Sequence, residues 1–82
     1  MQFVISFRSR SDAIAFGRYL SSKAVSNQLI NKPRTVSGSC GLAVLANVDH
    51  SKLLQLVHSY TGRVGNIYEL IRVTGGVRYQ LV

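Results

Sequence analysis

Large apolar residues occupy alternate positions at both ends of the chain, and this period of two is typical of half-buried β-strands. Residues 2–8 show the pattern first, and it returns after a turn at residues 74–76 and continues to the C-terminus. Residues 67–73 precede that turn and are predicted to form the other strand of a closing hairpin. Residues 41–47 are nearly all apolar, which indicates a central strand buried on both faces.

Two intervening segments have the apolar spacing of amphipathic helices. In residues 11–24 apolar side chains recur three and four positions apart, and Ser9 followed by Asp12 resembles an N-terminal capping box. Asp49 is predicted to cap a second helix, which we expect to end at Gly62. The helical spacing therefore predicts one helix after the first strand and one after the central apolar strand.

The order of predicted elements is β-α-β-β-α-β with a closing hairpin, because residues 27–31 form a short strand that ends before Pro33. This order indicates an α+β fold, a ferredoxin-like split βαβ sandwich with an extra C-terminal strand. We expect residues 1–82 to form a single domain. In that topology the end of the first strand lies at the same edge as the loop between the second and third strands. The residues expected to gather at this edge are Arg8, Arg10, Arg34, Cys40 and Arg63.

Composition limits the classes of protein to which the chain could belong. Hydrophobic residues make up 46% of the 82 positions and charged residues 16%, which excludes a disordered tail. The longest uninterrupted apolar run, residues 42–46, is too short to cross a bilayer. A cytoplasmic protein without a membrane segment is therefore expected. Ten Lys and Arg residues against three acidic ones give a net charge of +7, which favours anionic partners.

Cys40 is the only cysteine, and it lies in the small-residue stretch Ser37-Gly38-Ser39-Cys40-Gly41. Small neighbours leave a thiol accessible, and a glycine-rich turn can direct several backbone N–H groups at one anion. Nearby cationic side chains and helix N-termini favour the thiolate, which is the nucleophilic form. The alternative is that Cys40 is simply a small apolar residue entering a buried strand.

Residues for other kinds of chemistry are scarce. Once two of the three acidic residues are assigned to helix caps, Glu69 remains alone, so no carboxylate pair is available for acid–base catalysis. His50 and His58 lie about 12 Å apart along one helix, too far to share a metal ion. Neither a metal nor a cofactor is therefore predicted, and an enzyme is disfavoured. The central apolar strand also lacks the aromatic residues with which RNA-recognition modules stack bases.

The loop that contains Cys40 matches a known pattern. Pro33-Arg34, followed after two residues by Ser37-Gly38-Ser39-Cys40-Gly41, resembles the small bacterial family described as putative selenium/sulfur carrier-like proteins, and the likeness extends over roughly residues 3–71. The resemblance implies that Cys40 bears the chalcogen and that donor and acceptor proteins are its partners. The residues expected to shape the loop or hold an anion are Pro33, Arg34, Ser37, Gly38, Ser39, Gly41, Arg8 and Arg10.

Two hypotheses of function follow. The preferred one is a non-enzymatic cytoplasmic carrier in which the Cys40 thiolate accepts sulfur or selenium as a persulfide-type adduct. Under the carrier hypothesis we expect weak, non-specific nucleic-acid binding at most. The alternative is a basic interaction module that binds nucleic acid or an acidic protein, with Cys40 structural.

A homodimer is also expected from the strand pattern. The sheet face that contains Val4 is largely apolar, and pairing two copies would cover it. The rival prediction is that the closing hairpin folds over this face or adds an edge strand.

Overall fold

Seven elements follow one another in the computed structural model, which describes residues 1–82. They are β1 (Gln2–Ser6), α1 (Arg10–Ser22), β2 (Ser26–Asn31), β3 (Leu42–Asn47), α2 (His50–Ser59), β4 (Ile67–Val73) and β5 (Gly76–Leu81). The predicted α+β class and the order of elements are confirmed. Neither helix combines the length and the apolar character that a membrane crossing requires.

The helix ends agree only partly with the capping residues read from the sequence. Ser9 caps α1 as predicted, since its Oγ accepts the backbone N–H of Asp12 at 3.1 Å. Asp49 occupies the N-cap position of α2, but its side chain makes no capping hydrogen bond, so that part of the prediction is wrong. Helix α1 stops before Ala24, whose φ of 60° turns the chain out of the helix. Helix α2 likewise ends before Gly62 is reached.

The five strands form one antiparallel sheet in the order β2-β3-β1-β4-β5. Strand β1 lies in the middle, where Ile5 pairs with Val44 of β3 and with Ile67 of β4. This order differs from that of a simple βαβ unit, because β3 separates β1 from β2. Strand β5 extends the sheet beyond β4, as one of the two rival predictions for the closing hairpin expected.

Both helices pack against the same face of the sheet. Their apolar stripes meet the odd-numbered residues of β1, as alternation in a strand requires. The buried residues of this main core include Phe3, Ile5, Phe7, Ala13, Phe16, Leu20, Val44, Ala46 and Leu53. The end of β1 and the start of α1 are thereby fixed at one edge of the domain.

The opposite face of the sheet is covered over part of its area by the loop between β2 and β3. Its buried cluster consists of Val4, Val36, Ala43 and Tyr68. The expectation that this face is open is wrong at Val4, which is fully buried because Val36 from the loop packs into the same cluster. On β5, Val77 and Leu81 remain 44% and 61% exposed. The homodimer stays a prediction, and these β5 residues are its remaining apolar surface.

Candidate functional site

The segment that carries the cysteine, residues 32–41, is called here the cysteine loop, and it is closed at its base. The Lys32 N–H donates to the carbonyl of Gly41 at 2.8 Å, which extends the pairing of β2 with β3. Within the loop the Val36 N–H donates to the Pro33 carbonyl at 3.1 Å, and Lys32 Nζ donates to the Val36 carbonyl at 2.7 Å. The buried Val36 side chain then anchors this turn to the sheet.

Ser37 links the cysteine loop to β4 through a hydrogen-bond network. Its Oγ lies 2.7 Å from the phenolic oxygen of Tyr68, and its backbone N–H donates to the same oxygen at 3.2 Å. Asn66 Nδ2 donates to Ser37 Oγ at 2.9 Å, while the Asn66 N–H donates to Ser6 Oγ at 3.0 Å. Hydrogen bonds from the Ser37 hydroxyl and N–H lower the pKa of the Tyr68 phenol, with a smaller contribution from the Lys32 charge, because they stabilise the phenolate.

Beyond Ser37 the chain crosses the end of β1 and returns to β3. Gly38 has a φ of +154°, which side chains rarely adopt, and a Cβ there would lie 3.1 Å from the Cβ of the last β1 residue. Ser39 Oγ then donates to the Arg8 carbonyl at 3.3 Å, and the Cys40 N–H donates to the Phe7 carbonyl at 3.3 Å. The cysteine is therefore held beside the segment that joins β1 to α1.

Cys40 is a free thiol in a half-buried position. Its Sγ accepts the backbone N–H of Leu42 at 3.4 Å. This contact orients the sulfur, and partial exposure leaves a route for a reagent. Cys40 is therefore neither a fully exposed thiol nor a fully buried core residue, the two alternatives that the sequence left open.

A cleft of about 580 Å³ lies next to the cysteine, between the end of β1, the cysteine loop and residues 63–66. Its lining residues include Arg8, Arg63, Ser39 and Asn66, and none is acidic. We call it the Arg8–Arg63 cleft. The local charge of the lining is therefore positive, and it can attract an anion.

One wall of this cleft requires close packing of two backbone segments. The Gly65 N–H donates to the Ser6 carbonyl at 2.8 Å, and a Cβ on Gly65 would lie 2.5 Å from that oxygen. Only glycine fits at such a distance. The contact holds residues 63–66 against β1 and so fixes the wall that carries Arg63.

Some of the residues predicted from the sequence meet in this region, and others do not. Arg8, Gly38 and Ser39 line the cleft with Arg63, and Cys40 follows Ser39 directly without lining it. The predicted residues that do not line the cleft are Arg10, Pro33, Arg34, Ser37 and Gly41. Arg10 is the first residue of α1, and Arg34 is exposed in the turn after Pro33.

The residues that fix the cysteine loop to the sheet were not predicted from the sequence. These are Lys32, Val36, Ser6, Asn66 and Tyr68. Nothing in the local pattern marks Ser6 or Asn66, whose contact spans 60 positions along the chain. The apolar Val36 inside a polar loop was the one available signal.

The histidines and acidic residues do not gather into a metal centre. No group of three or more His, Cys, Asp or Glu residues lies close enough to hold an ion. The His50 ring instead stacks on Phe3, with ring centroids 5.8 Å apart and an interplanar angle of 17°. The contact gives His50 a packing role at the edge of the main core.

Comparison with known proteins identifies a family for most of the chain. The comparison with curated proteins and the comparison with solved structures each gave no match. A family described as "Putative Se/S carrier protein-like" matches residues 2–69, which include the whole cysteine loop and both arginines of the cleft. This match runs from β1 into the first three residues of β4, and β5 lies beyond it. The chain therefore belongs to the Se/S carrier protein-like family.

Proposed function

We propose that this protein is a non-enzymatic carrier that holds sulfur or selenium on the thiol of Cys40. Membership of the family supports a sulfur or selenium carrier in general. The observation that carries the proposal for this residue is the placement of the only thiol. It is half-buried, it receives the Leu42 N–H, and it adjoins the Arg8–Arg63 cleft.

The chemistry needs only a thiolate and a donor persulfide. The Cys40 thiolate attacks the outer sulfur of the donor persulfide, a new S–S bond forms on Cys40, and the donor's S–S bond breaks. The donor leaves as a thiolate, and the proton stays on the transferred sulfur, so the exchange needs no external oxidant or reductant. Selenium is transferred in the same way from a donor S–Se bond.

The cysteine loop supports this exchange by holding the thiol in one place. Val36 and Ser37 fix the loop to the sheet before Cys40, and the Cys40 N–H fixes it to Phe7, directly after β1. A preformed loop avoids the entropic cost of ordering when a partner docks. In this proposal Pro33, Gly38 and Gly41 shape the loop, and Arg8, Arg10, Arg34, Ser37 and Ser39 support the anionic sulfur or its donor.

The proposal also covers the partners, the location and the fold of the protein. Its partners are a donor protein and an acceptor protein in the cytoplasm. We further propose that the fold is ferredoxin-like, with the predicted split βαβ units. Two features support this: β1 lies between β3 and β4, and both helices lie on one face.

Intact mass measurement tests the carrier function. The reduced protein is incubated with a persulfide donor, and we expect a gain of one sulfur atom that a thiol reductant removes. Cys40→Ser, treated identically, should gain nothing. In parallel, folded wild-type protein should be alkylated at neutral pH. If Cys40 reacts with neither reagent until denaturant is added, the thiol is structural and the carrier function is wrong.

A further inference from the structure

The Arg8–Arg63 cleft has the properties of a ligand site in its own right. We propose that it binds the carboxylate group of a small thiol compound whose persulfide delivers sulfur to Cys40. The delivery step rests on the function proposed above, whereas binding of the carboxylate does not. The small thiol would be a donor in addition to the partner proteins.

The charge of the lining points to an anion. Arg8 and Arg63 both belong to the lining of one cleft, and no acidic residue does. The backbone N–H groups of Gly38 and Ser39, in the same lining, donate to no acceptor within the chain. A guanidinium group presents paired donors that match the two oxygens of a carboxylate, and free backbone N–H groups add further donors.

The size and rigidity of the cleft suit a small molecule. Its volume of about 580 Å³ falls within the range of about 300–1,000 Å³ typical of small-ligand pockets. The wall that carries Arg63 is fixed by the Gly65–Ser6 contact, and the Asn66 N–H bond to Ser6 Oγ holds it further. The site therefore exists before the ligand arrives, which lowers the cost of binding.

The position of the cleft connects binding with the thiol. Ser39 lines the cleft and directly precedes Cys40, whose N–H bonds to Phe7 on the cleft wall. Because Ser39 and Cys40 are consecutive residues, the thiol lies beside the rim of the cleft, and in this proposal the other end of a ligand anchored at the arginines extends to it. The Cys40 thiolate then attacks the outer sulfur of the bound persulfide. The small thiol leaves as a thiolate once its S–S bond has broken.

Binding is tested on the Cys40→Ser variant, in which no transfer can occur. The probe is glutathione, a thiol with two carboxylates, and amide chemical shifts are followed by NMR during titration. We expect shifts at Gly38, Ser39 and Gly65 and an affinity that falls with added salt. Arg63→Ala should weaken binding about fivefold, the loss typical of one exposed charge contact. Arg78→Ala, which removes an exposed arginine on β5, is the matched control and should not weaken it.

Two further ligands show which chemical group of the ligand the cleft recognises. The diethyl ester of glutathione keeps the thiol and removes both carboxylates, so it should not shift the cleft amides. If it shifts them as glutathione does, the carboxylate is not what is recognised and the proposal is wrong. If inorganic phosphate shifts the same amides and glutathione does not, the site takes free anions and the small-thiol assignment is wrong.

Comparison with the carrier assay distinguishes the two proposals. If wild-type protein gains sulfur from a persulfide donor while Cys40→Ser shows no glutathione shifts, the cleft assignment fails and the carrier function stands. If Cys40→Ser binds glutathione while wild-type protein gains no sulfur, the carrier function fails and the delivery step fails with it. Glutathione shifts in Cys40→Ser, together with sulfur gain by wild-type protein from glutathione persulfide, would support both proposals.

Discussion

Replacing Val36 by alanine tests whether the cysteine loop is part of the folded core. Val36 is 1% exposed and packs with Val4, Ala43 and Tyr68. The substitution removes two methyl groups, each worth about 0.8 kcal/mol of burial, and the cavity left behind adds to the loss. We therefore expect a destabilisation of about 2 kcal/mol. In a domain of this size that lowers the melting temperature by about 10 °C.

The measurement is thermal unfolding by circular dichroism, with Val77→Ala as the matched control. Val77 is 44% exposed, so the same substitution there should cost less than half as much. In Val36→Ala the released loop should also raise the alkylation rate of Cys40 in the folded protein. Equal melting temperatures for the two variants would show that Val36 does not contribute to the core, and the described anchoring of the loop would be wrong.

Tyrosine ionisation, self-association and nucleic-acid binding provide three further tests. In an alkaline titration followed by phenolate absorbance, Tyr68→Phe should remove the earliest transition, because Ser37 lowers the pKa of Tyr68. Tyr60→Phe should remove a late one, because burial raises the pKa of Tyr60; the opposite order would contradict these contacts. Sedimentation at micromolar concentration should show a dimer, which Leu81→Lys should dissociate, whereas a single species of about 9.0 kDa would exclude it. Oligonucleotide binding should be weak and fall log-linearly with salt, and tight binding at physiological salt that survives Cys40→Ser would favour the basic interaction module.

The parts of the fold that depend on residues close together in the sequence could be predicted. The alternation in β1 and the apolar run of β3 are properties of single segments, and each gives the strand it predicts. The start of α1 depends on Ser9 and Asp12, three positions apart, and their hydrogen bond forms as predicted. The shared edge of Arg8 and Arg63 followed from the order of elements, since topology determines which strand ends meet.

The parts that could not be predicted depend on contacts between distant positions. Val36 is one apolar residue in a polar loop, and its burial depends on the return of the loop across the sheet. The bond between Ser37 and Tyr68 spans 31 positions, and no pattern around either residue marks it. The turn after Pro33 leaves Arg34 exposed and outside the cleft, and no pattern around Arg34 indicates this placement; its support of the thiol stays a prediction.

The central position of β1 has a consequence for the order of folding. This strand is synthesised before the other four, yet Ile5 pairs with Val44 and Ile67, far along the chain. Pairings between such distant positions form late in folding, because the chain must lose the conformational entropy of a long loop before the contact can stabilise it. The walls of the Arg8–Arg63 cleft come from three segments, the last of which directly precedes β4. In a nascent or partly folded chain the Cys40 thiol is therefore present before the cationic cleft has formed. A preference of Cys40 for anionic reagents would then indicate that folding is complete.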